Sequence, residues 1–166
     1  MIPKIIHYCW FGGGEKSELI KHCMESWRKY LPDYEFIEWN ETRNEIMGNR
    51  FVQSALAKRK FAFASDFARA YALYHFGGVY LDTDVEIKGS LDEFLVHDAV
   101  SGFEKPGLAI TALWGSVAEH PWPQKVLQYY ADRTYDENEP PNTESITNIV
   151  STEFGIDSSR DEFQLG

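Results

Sequence analysis

Apolar side chains along the first forty residues alternate between strand-like runs and a helical stripe. An apolar run over residues 3–11 ends at three consecutive glycines, residues 12–14, which predicts a buried strand followed by a glycine loop. Apolar positions at helical spacing over residues 16–30 predict a helix, and the run 34–39 predicts a second strand. This order is the beginning of a β-α-β unit.

The middle of the chain predicts two consecutive helices and then a third strand. Residues 51–60 and 61–76 both have apolar stripes at helical spacing, and the Gly77-Gly78 pair marks the end of the second helix. The run that follows predicts a strand over residues 79–87.

The remaining segments are shorter and more polar. They predict an acidic turn at 91–94, strands at 99–104 and 108–114, a helix opened by Pro121 or Pro123, a loop at 134–143, a helix at 144–153 and an acidic tail. No internal repeat or low-complexity tract interrupts this order. Strands that alternate with helices predict one α/β domain over residues 1–166, with a mainly parallel sheet flanked by helices.

Composition and charge narrow the classes of ligand. Hydrophobic residues make up 43% of the 166 residues and aromatic residues 15%, which is typical of a globular domain with a core. The formal net charge of −10 argues against nucleic acid or an anionic membrane surface as a general partner. An anionic ligand such as a nucleoside diphosphate would need a bound cation and a few well-placed basic side chains.

Cysteine content and hydropathy bear on the cellular location. Cys9 and Cys23 are the chain's two cysteines and form no CxxC pair, so neither a disulfide framework nor a structural zinc site is expected. No uncharged run approaches the roughly 20 residues of a transmembrane helix, and the N-terminus lacks the features of a signal peptide. We therefore predict a cytoplasmic protein, or one held peripherally at the inner membrane.

Three carboxylates follow the Gly77-Gly78 pair. Regular alternation along a strand over 79–87 would place Asp82, Asp84 and Glu86 on one face, with neighbours about 7 Å apart. Such a cluster is costly to bury unless a hard cation neutralises it, and Mg²⁺ or Mn²⁺ prefers oxygen ligands of this kind. The alternative interpretation is a solvated strand end without a ligand.

Further candidates lie elsewhere in the chain. Asp66 and Arg69 share a helix face, where they could form a structural salt bridge or flank the same crevice, with the arginine meeting a phosphate. Trp10 is either a core aromatic or an exposed platform beside the glycine loop, and His7 is expected to be a satisfied core histidine. Glu104 could belong to the surface or to a site.

Several segments together resemble a known enzyme family. They are IPKIIHYCWFGG, the Trp27 helix, FASDFARAYALYHFGGVYLDTDVE and GFE, and they span roughly residues 2 to 150. They resemble the DXD-containing sugar transferases related to the yeast initiating mannosyltransferase and to bacterial capsular polysaccharide enzymes, and they are similar to the catalytic domains of clostridial glucosylating toxins. The combination S-D-x-x-R followed by G-G-x-Y-x-D-x-D is far more specific than a DXD alone.

The resemblance implies a GT-A fold, a Rossmann-like domain that binds a nucleotide sugar, with Mn²⁺ or Mg²⁺ on the DXD carboxylates. It also implies transfer of a hexose from a UDP- or GDP-sugar to a saccharide or lipid-linked saccharide, with retention of configuration, in capsular or lipopolysaccharide synthesis.

The same resemblance implies roles for particular residues. Trp10 would stack on the nucleotide base, and Asp66 and Arg69 would contact the sugar or the ribose and diphosphate. Asp82 would contact ribose and metal, and Asp84 would bind the metal directly. No catalytic nucleophile is predicted.

Two observations keep other hypotheses open. Family members usually continue with an aromatic, histidine-rich segment, so this chain is expected to lack a C-terminal closing segment, and it could be a truncated or inactive nucleotide-sugar-binding domain. A haloacid-dehalogenase-like phosphatase, with Asp82 as nucleophile and Asp84 as acid and base, is disfavoured because that motif normally lies near the N-terminus. No role is assigned to residues 142–148.

Overall fold

The computed structural model describes residues 1–138, 141–157 and 159–160, and within them five strands and six α-helices. The strands are β1 (Ile5–Cys9), β2 (Glu35–Trp39), β3 (Gly78–Leu81), β4 (Ala99–Lys105) and β5 (Leu108–Ser116). The helices are α1 (Glu18–Tyr30), α2 (Asn44–Met47), α3 (Arg50–Ala57), α4 (Phe61–Phe76), α5 (Pro121–Tyr130) and α6 (Asn142–Phe154). A short 3₁₀ turn, Asp92–Phe94, precedes β4.

The strands form one sheet in the order β2-β1-β3-β5-β4. β1 lies between β2 and β3 and is parallel to both, whereas β5 is antiparallel to its neighbours β3 and β4. Four strands therefore share one direction and β5 runs against them. The predicted α/β fold is confirmed, and its sheet is mixed, since two of the four strand pairings are parallel and the two made by β5 are antiparallel.

Two hydrophobic clusters cover the two faces of this sheet. On β3, Tyr80 belongs to one cluster while Val79 and Leu81 belong to the other, as the alternation of side chains in a strand requires. The first cluster is built with helices α3 to α6, and the second with α1, whose Trp27 is fully buried. The sheet is thus enclosed between helices, as predicted.

Helix α4 is the central helix of the fold and leads directly into β3. All residues from Ala64 to Ala70 are buried, and the helix packs against α3, α5, β1 and β3. It ends at Gly77, which has φ 65°, and Gly78 follows with φ 105°. A Cβ on Gly78 would lie 2.6 Å from the carbonyl oxygen of Ile5, so glycine is required where the chain enters the sheet.

The predicted strand over 79–87 is wrong beyond residue 81. β3 ends at Leu81, and the chain turns so that the amide of Val85 donates to the carbonyl of Asp82. Residues 85–87 then lie against α1, because the Trp27 indole donates to the carbonyl of Val85 and the Ile87 amide donates to the Ser26 hydroxyl. Asp82, Asp84 and Glu86 therefore do not share one strand face.

Smaller differences concern the connections. The short helix α2 was not predicted, and α6 begins at Asn142, two residues before the predicted start, so the preceding loop is shorter. Residues 139 and 140 of that loop and residues 158 and 161–166 of the predicted tail lie outside the described residues. Within the described ranges, no helix has both the length and the apolar composition needed to cross a bilayer.

Candidate functional site

The ends of β1 and β3 bring two of the predicted site residues to the same edge of the sheet. β1 and β3 are parallel and pair His7 with Tyr80, so Trp10 and Asp82 each follow the carboxyl end of neighbouring strands. This is the edge at which open α/β sheets bind their ligands. The glycine loop leaves β1 here, with positive φ angles of 84° at Gly12 and 62° at Gly13.

Trp10 lies at the rim of this edge and is only partly buried. Its indole nitrogen donates to the carbonyl of Gly14 at 2.8 Å, and the Lys16 ammonium lies 4.8 Å from the ring centroid. The indole is therefore held beside the glycine loop and is not among the buried core aromatics. Its partial exposure argues against the core interpretation, and a role as a platform stays a prediction.

Arg69 forms the buried centre of the site, with 4% of its surface exposed. Its guanidinium donates to the carbonyl of Ser65 (3.3 Å), to the hydroxyl of the same serine (3.0 Å) and to the carbonyl of Thr111 on β5 (2.7 Å). One terminal nitrogen also lies 3.2 Å from Asp66 Oδ1 and 3.4 Å from Asp82 Oδ1. Arg69 thus holds two carboxylates that come from different elements.

This geometry changes the expected role of Arg69. All three guanidinium nitrogens are engaged by protein groups, so in this structure the arginine is an internal clamp, and a direct contact with a phosphate stays a prediction. Burial alone would lower the pKa of Arg69, but Tyr80, Asp82 and Asp66 raise it above its usual value. The clamp therefore keeps its positive charge.

Tyr80 completes the support of Asp82. Its hydroxyl donates to Asp82 Oδ1 at 2.9 Å, and its ring lies 4.6 Å from the Arg69 guanidinium carbon. Burial raises the pKa of Tyr80 well above the usual value, so the hydroxyl remains a neutral donor. Burial likewise raises the pKa of the neighbouring Cys9 thiol to about 12, so that thiol is no nucleophile at neutral pH.

The DXD carboxylates lie on the turn after β3 and differ in exposure. The Asp82 side chain is 33% exposed, and its Oδ1 contacts both the Arg69 guanidinium and the Tyr80 hydroxyl. Asp84 is exposed, and among the described residues no side-chain hydrogen bond or ion pair reaches it. Glu86 instead lies 3.6 Å from His22 and 3.5 Å from Lys88, so the structure gives a carboxylate pair where the sequence predicted three.

A divalent cation fits this pair in one particular way. The described residues contain no group of three or more His, Cys, Asp or Glu side chains arranged to hold a metal. Mg²⁺ and similar ions are nevertheless often bound by one or two carboxylates, with substrate phosphates and water completing the shell. Asp82 and Asp84 suit that arrangement, since one is fixed by the protein and the other is unengaged.

Two residues of the cluster, Thr111 and Asn142, were assigned no role from the sequence. Asn142 donates its amide to Asp66 Oδ1 at 2.6 Å, and its own oxygen accepts from the Thr111 hydroxyl at 3.2 Å. Both residues lie far from Asp66 in the chain, and nothing in the local pattern brings them to α4. Tyr80 was missed for a simpler reason, since a tyrosine in a buried strand resembles any core aromatic.

The remaining candidates lie outside the cluster. His7 is fully buried, with one ring nitrogen donating to the carbonyl of Gly77 (2.8 Å) and the other accepting from the Trp39 indole (3.1 Å). The predicted satisfied core histidine is confirmed. Glu104 is exposed on β4, and within the described part of the chain it has no hydrogen bond or ion pair to the site.

Comparison with known proteins identifies relatives of this chain. The family model for the glycosyltransferase sugar-binding region containing a DXD motif matches residues 17–101, which include the clamp and both DXD carboxylates. Inositol phosphoceramide mannosyltransferase 2 of Schizosaccharomyces pombe is 33% identical over 132 residues, which are 77% of this chain and 38% of that protein. A mannosyl phosphorylinositol ceramide synthase of Saccharomyces cerevisiae is 29% identical over 135 residues, 77% of this chain and 34% of that protein.

The fold has a solved counterpart. The structure described as PaToxG glycosyltransferase superposes with a TM-score of 0.67 at 18% identity, over 93% of this chain and 70% of that one, which supports the GT-A fold. The chain spans just over a third of the length of the two curated relatives. On the family match, this chain belongs to the glycosyltransferases whose sugar-binding region contains the DXD motif.

Proposed function

We propose that this chain is the donor-binding part of a metal-dependent glycosyltransferase that moves a hexose from a UDP- or GDP-sugar to a saccharide or lipid-linked saccharide acceptor. The observation that carries the proposal is a carboxylate pair, of which Asp82 is held by a buried arginine and Asp84 is exposed, beside an indole at the same sheet edge. The yeast relatives are named for mannosyl transfer, which makes mannose the first sugar to test.

Trp10 is the proposed platform for the nucleotide base. Its ring is only partly buried and its nitrogen is already satisfied by Gly14, so the exposed ring surface is available for stacking. The glycines that follow leave this rim open, since a side chain on Gly13 or Gly14 would meet no neighbour within 4 Å. These two glycines therefore add no side chain that would cover the ring, and we place the base on its exposed surface.

Charge balance supports the cation. Asp82 shares the positive charge of Arg69 with Asp66, and no ion pair within the described residues reaches Asp84. A nucleoside diphosphate would be repelled by these carboxylates and by the chain's net charge of −10. Mn²⁺ or Mg²⁺ held by Asp84 and Asp82 would remove this repulsion and stabilise the departing diphosphate as a Lewis acid.

The protein's own residues place and hold the donor. Arg69 and Tyr80 fix the first DXD carboxylate by two contacts to the same oxygen, so Asp82 has little freedom to turn when a donor binds. Asp66 is proposed to contact the sugar or ribose. We propose retention of configuration, in which the acceptor hydroxyl attacks the anomeric carbon from the same face that the nucleoside diphosphate leaves and its proton passes to the departing diphosphate. We assign no nucleophile on the protein.

The pathway and the cellular location have no support from the structure or the relatives. Capsular or lipopolysaccharide synthesis and a cytoplasmic location, free or peripheral at the inner membrane, stay predictions from the sequence. A domain that binds the nucleotide sugar without transferring it is the alternative function, while the family match favours either of these over the phosphatase hypothesis.

The release of nucleoside diphosphate tests the proposal. The chain is mixed with UDP- and GDP-hexoses, with saccharide acceptors and with or without Mn²⁺, and we expect release that requires both the metal and one donor. Donor binding without release would support the inactive domain. Release of inorganic phosphate from simple esters, with no response to nucleotide sugars, would contradict the transferase and favour the phosphatase.

A further inference from the structure

Asn142, the first residue of α6, links that helix to a carboxylate of the donor site. The residue is 8% exposed, and its amide donates to Asp66 Oδ1 at 2.6 Å. Its oxygen accepts from the Thr111 hydroxyl at 3.2 Å. Because the threonine can supply a proton to one end of the amide, the other end must present its N–H groups to Asp66.

These contacts belong to a ring of four residues: Asp66, Arg69, Thr111 and Asn142. The backbone carbonyl of Thr111 accepts a hydrogen bond from the Arg69 guanidinium at 2.7 Å. The guanidinium also lies 3.2 Å from Asp66 Oδ1, the oxygen that Asn142 contacts. The ring joins α4, β5 and α6, and each of its members is less than one tenth exposed. Asp66 is thus held from two sides, by a cation on its own helix and by an amide from a helix 76 residues later.

The amide has a consequence for the direction in which Asp66 faces. An arginine prefers to bind both oxygens of one carboxylate through two parallel bonds. Without Asn142, Arg69 would draw Asp66 toward that arrangement. The amide competes for Oδ1 and keeps the carboxylate in its observed orientation.

We propose that Asn142 is a positioning residue of the donor site, which acts through Asp66 to set the affinity for the sugar part of the donor. The proposal rests on the proposed function, because it takes Asp66 as a contact to the donor's sugar. It extends the site beyond the segment matched by the family, which ends at residue 101, to a helix that begins at residue 142.

The test separates binding of the sugar from binding of the nucleotide. Affinities for a nucleotide sugar and for the corresponding nucleoside diphosphate are measured by calorimetry with Mn²⁺, using the wild type, Asn142→Ala, Asp66→Ala and the double variant. Loss of one hydrogen bond to a charged group predicts about tenfold weaker nucleotide-sugar binding for Asn142→Ala. Binding of the nucleoside diphosphate is expected to change by less than about twofold.

The double variant tests whether Asn142 acts through Asp66. In the Asp66→Ala background, Asn142→Ala is expected to cause no further loss, because the residue it orients is gone. Independent, multiplicative losses would overturn the proposal, and so would an equal loss of affinity for the nucleoside diphosphate.

Two further variants guard against a merely structural effect. Thr111→Val keeps the shape and the backbone contact to Arg69 but removes the hydroxyl that orients Asn142, and about threefold weaker nucleotide-sugar binding is expected. Asn148→Ala, at an exposed position of the same helix, is expected to bind like the wild type. If Asn142→Ala binds the nucleotide sugar as tightly as the wild type does, this inference alone is contradicted. If the wild type binds no nucleotide sugar, the proposed function is contradicted as well.

Discussion

Replacement of Arg69 by methionine tests whether the buried clamp holds the site together. Methionine preserves much of the volume of the side chain but removes its charge and its donors. The substitution leaves Asp66, whose side chain is 8% exposed, beside Asp82 without their shared cation. It also leaves the carbonyl of Thr111 without the bond it accepts at 2.7 Å.

The expected loss follows from these contacts. Removal of one partner of a buried ion pair costs about 3–5 kcal/mol, because the remaining charge stays buried and uncompensated. Asp82 is 33% exposed and contributes less, since solvent screens its charge. We therefore expect Arg69→Met to lower the free energy of unfolding by about 3–4 kcal/mol, and Arg69→Lys, which keeps the charge but not the planar fork, to lose about half as much.

Urea unfolding followed by tryptophan fluorescence measures this loss, since Trp27, Trp39 and Trp114 are fully buried. With a slope of about 2 kcal/mol per molar urea, the midpoint should fall by roughly 1.5–2 M in Arg69→Met. Arg50→Met, at an exposed position of α3, is the matched control and should stay within about 0.5 kcal/mol of the wild type. A loss below about 1 kcal/mol in Arg69→Met would refute the reasoning.

Two other predictions concern the fold around the site. Burial lowers the pKa of His7 to about 4, against 6.5 in the unfolded chain. As the pH falls, the unfolded state therefore binds a proton before the folded state does. The stability that neutral His7 contributes above pH 6.5 is lost as the pH falls from 6.5 through 4. Urea titrations at several pH values should show a decline of up to about 3 kcal/mol that His7→Asn removes, and parallel pH curves for the two proteins would contradict this. Gly78→Ala should lower the free energy of unfolding by more than about 2 kcal/mol, because a Cβ there meets the Ile5 carbonyl at 2.6 Å with φ at 105°, whereas Gly48→Ala has open space and should be near neutral. Equal stability of the two alanine variants would show that the turn into β3 is not under this constraint.

Much of the fold could be predicted because local pattern and tertiary structure agree. The apolar run before the glycine loop became β1, which ends at Cys9, and the stripe that ends at Gly77 became α4, where a glycine with positive φ sets the boundary. The direction of β5 could not be predicted in this way. A short loop between two strand-like runs permits a hairpin, but the position of that hairpin in the sheet depends on contacts with β3.

The carboxylate strand shows where pattern fails. The alternation of apolar and acidic residues continues past Leu81, so the sequence predicts a longer strand than the structure has. The strand ends because residues 85–87 find partners on α1, where the Trp27 indole and the Ser26 hydroxyl bind their backbone. Such long-range side-chain bonds have no periodic signature.

The residues of the site were predictable in part from the family resemblance. The resemblance to the DXD family named Trp10, Asp66, Arg69, Asp82 and Asp84, and the structure brings Asp66, Arg69 and Asp82 into one cluster with Trp10 at the same sheet edge. It did not indicate that Arg69 is enclosed by protein groups or that Asn142 reaches Asp66. Both facts depend on the packing of β5 and α6 against α4, which spacing along the chain does not encode.

The most direct test of the donor site is the thermal stability of the chain with nucleotide sugars and Mn²⁺, compared between the wild type, Asp84→Ala and Glu86→Ala. A ligand that binds only the folded state raises the melting temperature, so we predict an increase in the wild type that needs both Mn²⁺ and one nucleotide sugar. The increase should disappear in Asp84→Ala. It should persist in Glu86→Ala, because the Glu86 side chain contacts His22 and Lys88 and is not part of the carboxylate pair. A wild type that responds to no pair of metal and donor, or an increase that survives in Asp84→Ala, would contradict the account.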